Sequence, residues 1–280
     1  METEKLELIR YAMRFVVVLF LLSAVTLDLV CVFRFFRRDP MFGFARISVL
    51  KKRKLTFPVI ALTLFTALIF TVPSHMQAST EDKMPELSGI VAGTLAYALS
   101  AAFLMICAAF HGRTRLGRLF HCSGCSYRKA ISKGVIYGIA AIPPTMSVTV
   151  LTNALFVKAG LEAENQPVVQ WLSNPSTTLL MYVVIFISAV IVAPVAEEVI
   201  FRGILFPAVL KNKSWVFSAM LTSCLFSLIH FHPPSFMSIF VLSLFFCAGY
   251  SATGSLLTPI FMHMVFNGAA IFCALLVSRC

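Results

Sequence analysis

Long apolar runs leave this chain few folds to choose from. They fall at about 12–33, 57–73, 87–110, 134–157, 176–195 (continuing to about 210), 215–231, 236–253 and 256–277. A helix needs about 20 apolar residues to cross a bilayer, and in lipid every backbone polar group must be satisfied by a helix or a closed barrel. Barrel strands would read as roughly ten-residue alternations; these runs are continuous. The expected fold is therefore all-α, a polytopic transmembrane bundle of about eight spans. Composition agrees, with 59% apolar residues, 12% charged and a mean hydropathy of +0.89. Soluble domains run near half and a quarter, so an ordinary soluble enzyme is excluded. So is a disordered chain, by the same apolar content and 27 Phe.

The net charge of +11 is confined to alternate loops. Residues 34–54 carry eight basic groups against Asp39, and 111–133 carry Arg113, Arg115, Arg118, Arg128, Lys129 and Lys133 with no acid. The intervening loops hold Glu81, Asp82 and Glu86, then Glu162 and Glu164. This is the positive-inside pattern. It implies cytoplasmic basic loops facing anionic lipid headgroups and an N-terminus outside, and it argues against nucleic acid as a partner. The first run is expected to be a retained helix, since it is long, acid-flanked and followed by RFFRRD. Cys122 and Cys125 form a single CxxC without a second pair, which reads as two reduced thiols in a loop rather than a zinc site. Asp28 has no basic neighbour at helical spacing and is given no role.

From 176 onward the only charges are Glu197, Glu198, Arg202, Lys211, Lys213 and Arg279. The lysines mark a turn and Arg279 the tail, so two carboxylates and one guanidinium lie inside apolar sequence. Ionisable groups at membrane depth are costly and default to a functional reading. Glu198 and Arg202 are i and i+4, on one helical face and in the favourable order. Glu197 lies about 100° around the helix and is available as a base. The next apolar run places Phe226 and His230 at i and i+4, and the last does the same with His263 and Asn267. Glu197 stands about 14 residues before the NKS turn and His230 about 16 after it, so a helical hairpin brings them to one depth.

EExxxR, FxxxH and HxxxN, in this order in successive apolar runs, resemble the CPBP or Abi group of intramembrane proteases, which includes the type II CAAX prenyl proteases. The resemblance covers roughly 175–275. The expected organisation is an N-terminal transmembrane region, 1–170, of about four helices, followed by a CPBP-type core at 171–280. The resemblance implies an intramembrane endopeptidase in which Glu197 and His230 hold the attacking water. It gives His263 and Asn267 to the oxyanion, with Glu198, Arg202 and Phe226 in support. No GxSxG is present, which disfavours an acyl-enzyme, whereas a carboxylate and an imidazole can activate water directly.

No cofactor is implied. The competing mechanism is zinc held by Glu, His and His from three helices, although HExxH is absent. Two readings without proteolysis also fit apolar helices that carry these groups. One is a non-catalytic scaffold or immunity factor on the same fold, and the second is a transporter with a Glu/His proton relay. The expected partners are membrane lipids and a membrane-embedded or lipidated protein or peptide substrate. The expected location is the inner membrane of a bacterium or the endoplasmic reticulum of a eukaryote.

Overall fold

The computed structural model describes Leu50, residues 87–112, Phe120, 125–162 and 166–278. The expected spans at 12–33 and 57–73 lie outside the described residues, as do Asp28 and Cys122. What is described forms seven helices and no strand. These are α1 (Leu87–Gly112), α2 (Tyr127–Lys158), α3 (Pro167–Ser173), α4 (Leu179–Leu210), α5 (Trp215–Leu228), α6 (Phe236–Thr253) and α7 (Leu257–Ser278). Four of them, α2, α4, α6 with its leading turn, and α7, are long and apolar enough to cross a membrane. The apolar stretch Leu87–Phe103 and α5 are shorter. Four such spans are thus found among the described residues, against the eight expected of the whole chain.

Hydroxyl side chains start the helices. Ser126, Thr178 and Ser214 accept from the backbone N–H of Lys129, Met181 and Phe217 at the heads of α2, α4 and α5, covering donors that a helix start leaves open. The Ser126 cap makes 127–133 helical, where the sequence suggested a loop to 133. Gly254, at φ 69°, ends α6 in the left-handed conformation. The short α3 straddles the expected boundary at 170; its Leu172 packs with Ile185, Val190 and Ile271.

Neighbouring contacts give the helix directions. Ile90 packs near Ile185 and Val190, while Met105 packs near Val199 and Phe206, so α1 and α4 are parallel. Gly134 meets Thr258 and Phe261, and Gly138 meets Met262 and Val265, so α2 and α7 are parallel as well. An added Cβ on Gly134 would stand 2.8 Å from the Thr258 carbonyl oxygen. Only glycine permits that approach, the usual device of helix contacts in lipid. At one end of the bundle Trp215 bonds Ser251, Thr258 donates to the Ala130 carbonyl, and Ser255 donates to the Phe120 carbonyl. Arg128, Lys129, Lys133, Lys211 and Lys213 gather at this end, so its described charges are all basic.

Helix α4 carries the candidate carboxylates and is not regular. Two π turns, Ser188–Val192 and Val199–Leu205, flank the α-helical Ala193–Glu198. Both end just ahead of a proline: Ala193 N–H reaches back to Ser188 and Phe206 N–H to Phe201, and Pro194 and Pro207 follow. A proline ring clashes with the carbonyl four residues back, and a widened turn is one way a helix passes it.

Candidate active site

Two neighbouring carboxylates receive opposite treatment. Glu198 is fully buried, and its Oε1 accepts from Arg202 Nη1 at 2.8 Å and from His263 Nδ1 at 3.0 Å. Arg202, equally buried, turns its other terminal nitrogen to Ser243, donating to the hydroxyl at 2.6 Å and to the carbonyl at 3.2 Å. Its guanidinium lies against two adjoining rings, with the centroids of Phe226 at 4.6 Å and Phe246 at 5.0 Å. Helices α4, α6 and α7 are tied together at this point, with α5 supplying an aromatic wall.

Glu197 takes no part in that ion pair. Its Oε1 accepts from the Tyr97 hydroxyl of α1 at 3.4 Å, and its buried Oε2 has no hydrogen-bond partner. His263 Nε2 faces that oxygen at 3.7 Å, beyond hydrogen-bond range. The His263 ring therefore lies between the two glutamates. A carboxylate paired with Arg202 is an acceptor, so Nδ1 carries the proton toward Glu198 and Nε2 is presented to Glu197.

His230 lies two residues past the end of α5, just beyond its C-cap Ile229, rather than on it. Phe231 has φ 45°, and Pro233 and Pro234 prevent the helix from continuing. The i to i+4 relation still holds: His230 Nδ1 stands 2.7 Å from the Phe226 carbonyl and its ring 4.9 Å from the Phe226 ring. A carbonyl only accepts, so Nδ1 is the N–H. The other face of the cluster meets the same phenyl, whose centroid is 5.9 Å from that of His263. Phe226 thus joins both imidazoles and the guanidinium.

Asn267 donates to the Ala189 carbonyl at 2.8 Å, for a local reason. In the first π turn hydrogen bonds reach back five residues, and the residue five after Ala189 is Pro194, which has no N–H. The Asn267 amide fills the place the proline leaves empty.

Residues 179–269 match an Rce1-like family model. That family is described as type II CAAX prenyl endopeptidase, Rce1-like. The Rce1-like segment contains Glu197, Glu198, Arg202, Phe226, His230, His263 and Asn267. The chain is also similar to a putative membrane peptidase, YdiL, of Bacillus subtilis (strain 168), at 30% identity over 77 residues. That alignment spans 28% of this chain and about a third, 32%, of the relative's length. No solved structure matches the chain. With its apolar helices and this match, the protein is an integral membrane protein.

Among the described residues no three His, Cys, Asp or Glu side chains are grouped to hold a metal ion. Cys125 is a free, buried thiol. Sequence reasoning missed Tyr97, which lies outside the Rce1-like segment. The one hint was that Thr94 and Tyr97 stand at i and i+3 on one face of an apolar run, which names no partner. Thr94 bonds Ser188 at 2.6 Å, in the first π turn.

Proposed function

We propose that the Rce1-like segment hydrolyses a peptide bond of a membrane-associated substrate, with water activated by Glu197. One observation carries this reading: Arg202 is paired with Glu198, whose own Oε2 is also unbonded, whereas Glu197 has no cation bonded to it and its buried, unbonded Oε2 faces an imidazole nitrogen at 3.7 Å. A carboxylate in that situation is an acceptor for a water proton, and base catalysis from such a position contributes about 10²–10⁴ in rate.

In this scheme His230, its Nδ1 proton turned to Phe226, holds the same water. His263 and Asn267 are the donors to the oxyanion in this scheme. Asn267 has a second amide N–H beyond the one given to Ala189. His263 becomes an Nε2 donor on taking up a proton, with Glu197 and Glu198 on either side to balance the charge. The similarity to type II CAAX prenyl endopeptidases supports a lipidated C-terminus as the substrate class. A broader class, apolar peptides without a lipid, suits the surrounding apolar helices.

The test uses full-length protein in lipid nanodiscs with two peptides, a farnesylated CAAX peptide and the same peptide without the lipid. Wild type is expected to cleave at least one. Glu197→Gln should retain the wild-type unfolding temperature and lose about 10²–10⁴ in kcat. Cleavage of the farnesylated peptide alone assigns the lipid a role in recognition. Equal rates for wild type and Glu197→Gln would overturn the reading.

A further inference from the structure

The hydroxyl of Tyr97 is the hydrogen-bond donor to the Glu197 carboxylate, and it comes from a helix outside the Rce1-like segment. We infer that Tyr97 is a positioning residue for the proposed base: α1 fixes the plane of the Glu197 carboxylate, holding one oxygen itself and keeping the other turned to His263. The inference rests on the hydrolase reading above and adds to it a part of the chain that the motifs do not reach.

Three features support it. First, the bond acts on one oxygen only. Glu197 Oε1 accepts from Tyr97, while Oε2 is left for His263 Nε2 and a reacting water. The last torsion of a glutamate is broad, and without that donor the plane of the carboxylate can turn so that neither oxygen is held toward His263 Nε2. Second, α1 is fixed where it needs to be. One turn earlier Thr94 bonds both the Ile90 carbonyl and Ser188, and Ile90 packs among Leu172, Ile185 and Val190. The tyrosine ring is therefore anchored to α4, the helix that carries Glu197. Third, among the hydrogen bonds found for the described residues no other side chain performs this function. Glu198 has two charged or polar donors, whereas Glu197 has Tyr97 alone among the hydrogen bonds of the described residues.

The variant that removes only the hydroxyl is Tyr97→Phe. Two readouts are combined on the full-length protein in nanodiscs, with the farnesylated CAAX peptide as the kinetic probe. The first is infrared difference spectroscopy, in which the wild type minus Glu197→Gln spectrum isolates the Glu197 carboxyl band. That band should be displaced when the same difference is taken in the Tyr97→Phe background. The second is a kcat and KM pair. Tyr97→Phe should lower kcat about tenfold, as loss of a hydrogen bond to a charged group does, with KM within about twofold of wild type. The unfolding temperature should be unchanged, because the ring and its packing remain.

An undisplaced band, or an unchanged kcat, would overturn the proposal. A fall in kcat that accompanies a matching loss of unfolding temperature would also overturn it, in favour of a structural tyrosine. If the wild type cleaves no peptide, the hydrolase reading fails, and a displaced band would still uphold the hold of Tyr97 on Glu197.

Discussion

Where α2 meets α7 the bundle is held by missing side chains, and where α4 meets α6 and α7 it is held by charged ones. At the first contact Gly134 and Gly138 let two backbones touch, so the contact is made largely of dispersion among many atoms, with the Thr258 bond to Ala130 at its end. At the second, Glu198, Arg202, His263 and Ser243 are joined by bonds of 2.6–3.2 Å in a dry interior. Apolar contacts of the first kind tolerate small shifts. A network of the second kind is costly to assemble and fixes position sharply, because each member left unpaired in a low dielectric is heavily penalised. The groups proposed to react, Glu197 and His263, sit on or beside the second contact, where position matters, and the glycine contact sets the spacing of the helices around it.

Perturbing each contact should show the difference. Glu198→Ala leaves Arg202 charged and buried without its carboxylate. A pair broken in this way typically costs about 3–5 kcal/mol, so the variant should unfold at lower denaturant and show little activity. The double variant Glu198→Leu, Arg202→Met removes both charges and should recover much of the stability with none of the activity. A double variant as unstable as the single one would mean that the contact depends on shape rather than charge. Next in size is His263→Ala, expected to lose about 10²–10³ in kcat if it serves the oxyanion, measured on protein whose unfolding is checked in parallel.

Gly134→Leu acts on the glycine contact. Forcing a side chain between touching backbones should cost about 1–3 kcal/mol, with KM and kcat altered together as the helices move apart. Smallest of all is the effect of chelation. With Glu197 as an unaided base, extensive washing with a strong chelator should leave kcat unchanged. Activity that disappears on chelation and returns with one equivalent of zinc would instead assign the site to the zinc mechanism.

The legible parts of this site are those written within one helix. The i to i+4 spacing of Glu198 and Arg202, of Phe226 and His230, and of His263 and Asn267 is visible in the chain because helical geometry alone decides it. The long spans α2, α4, α6 and α7 are legible for a similar reason, as apolar length. Contacts between distant helices were not. Tyr97 and Glu197 are 100 residues apart, and a tyrosine in an apolar run gives no sign of its partner. The approach of His263 to both glutamates needs the crossing of α4 and α7. The Asn267 bond to Ala189 depends on a π turn, which the sequence hints at only through Pro194. Helix α3 was missed because seven residues are too few to show a period.

The π turns of α4 also change what the helix presents to its surroundings. Each wide turn is in effect a one-residue insertion, and one residue is about 100° of rotation. Up to the first π turn and within it α4 shows Leu179, Leu180, Val183, Phe186, Ile187 and Ile191 outward. From Glu198 to Pro207 every residue is buried. A straight, regular helix keeps one stripe outside along its whole length, so this one leaves the periphery and enters the interior as it runs. Deleting Val192 would restore regular phase and turn the carboxylates by that same angle relative to Ser188 and Ala189. Thr94 and Asn267 would then hold one half of the helix while Arg202 and Ser243 held the other out of register. The placement of the two carboxylates is thus set by residue count along α4 as much as by which residues it carries.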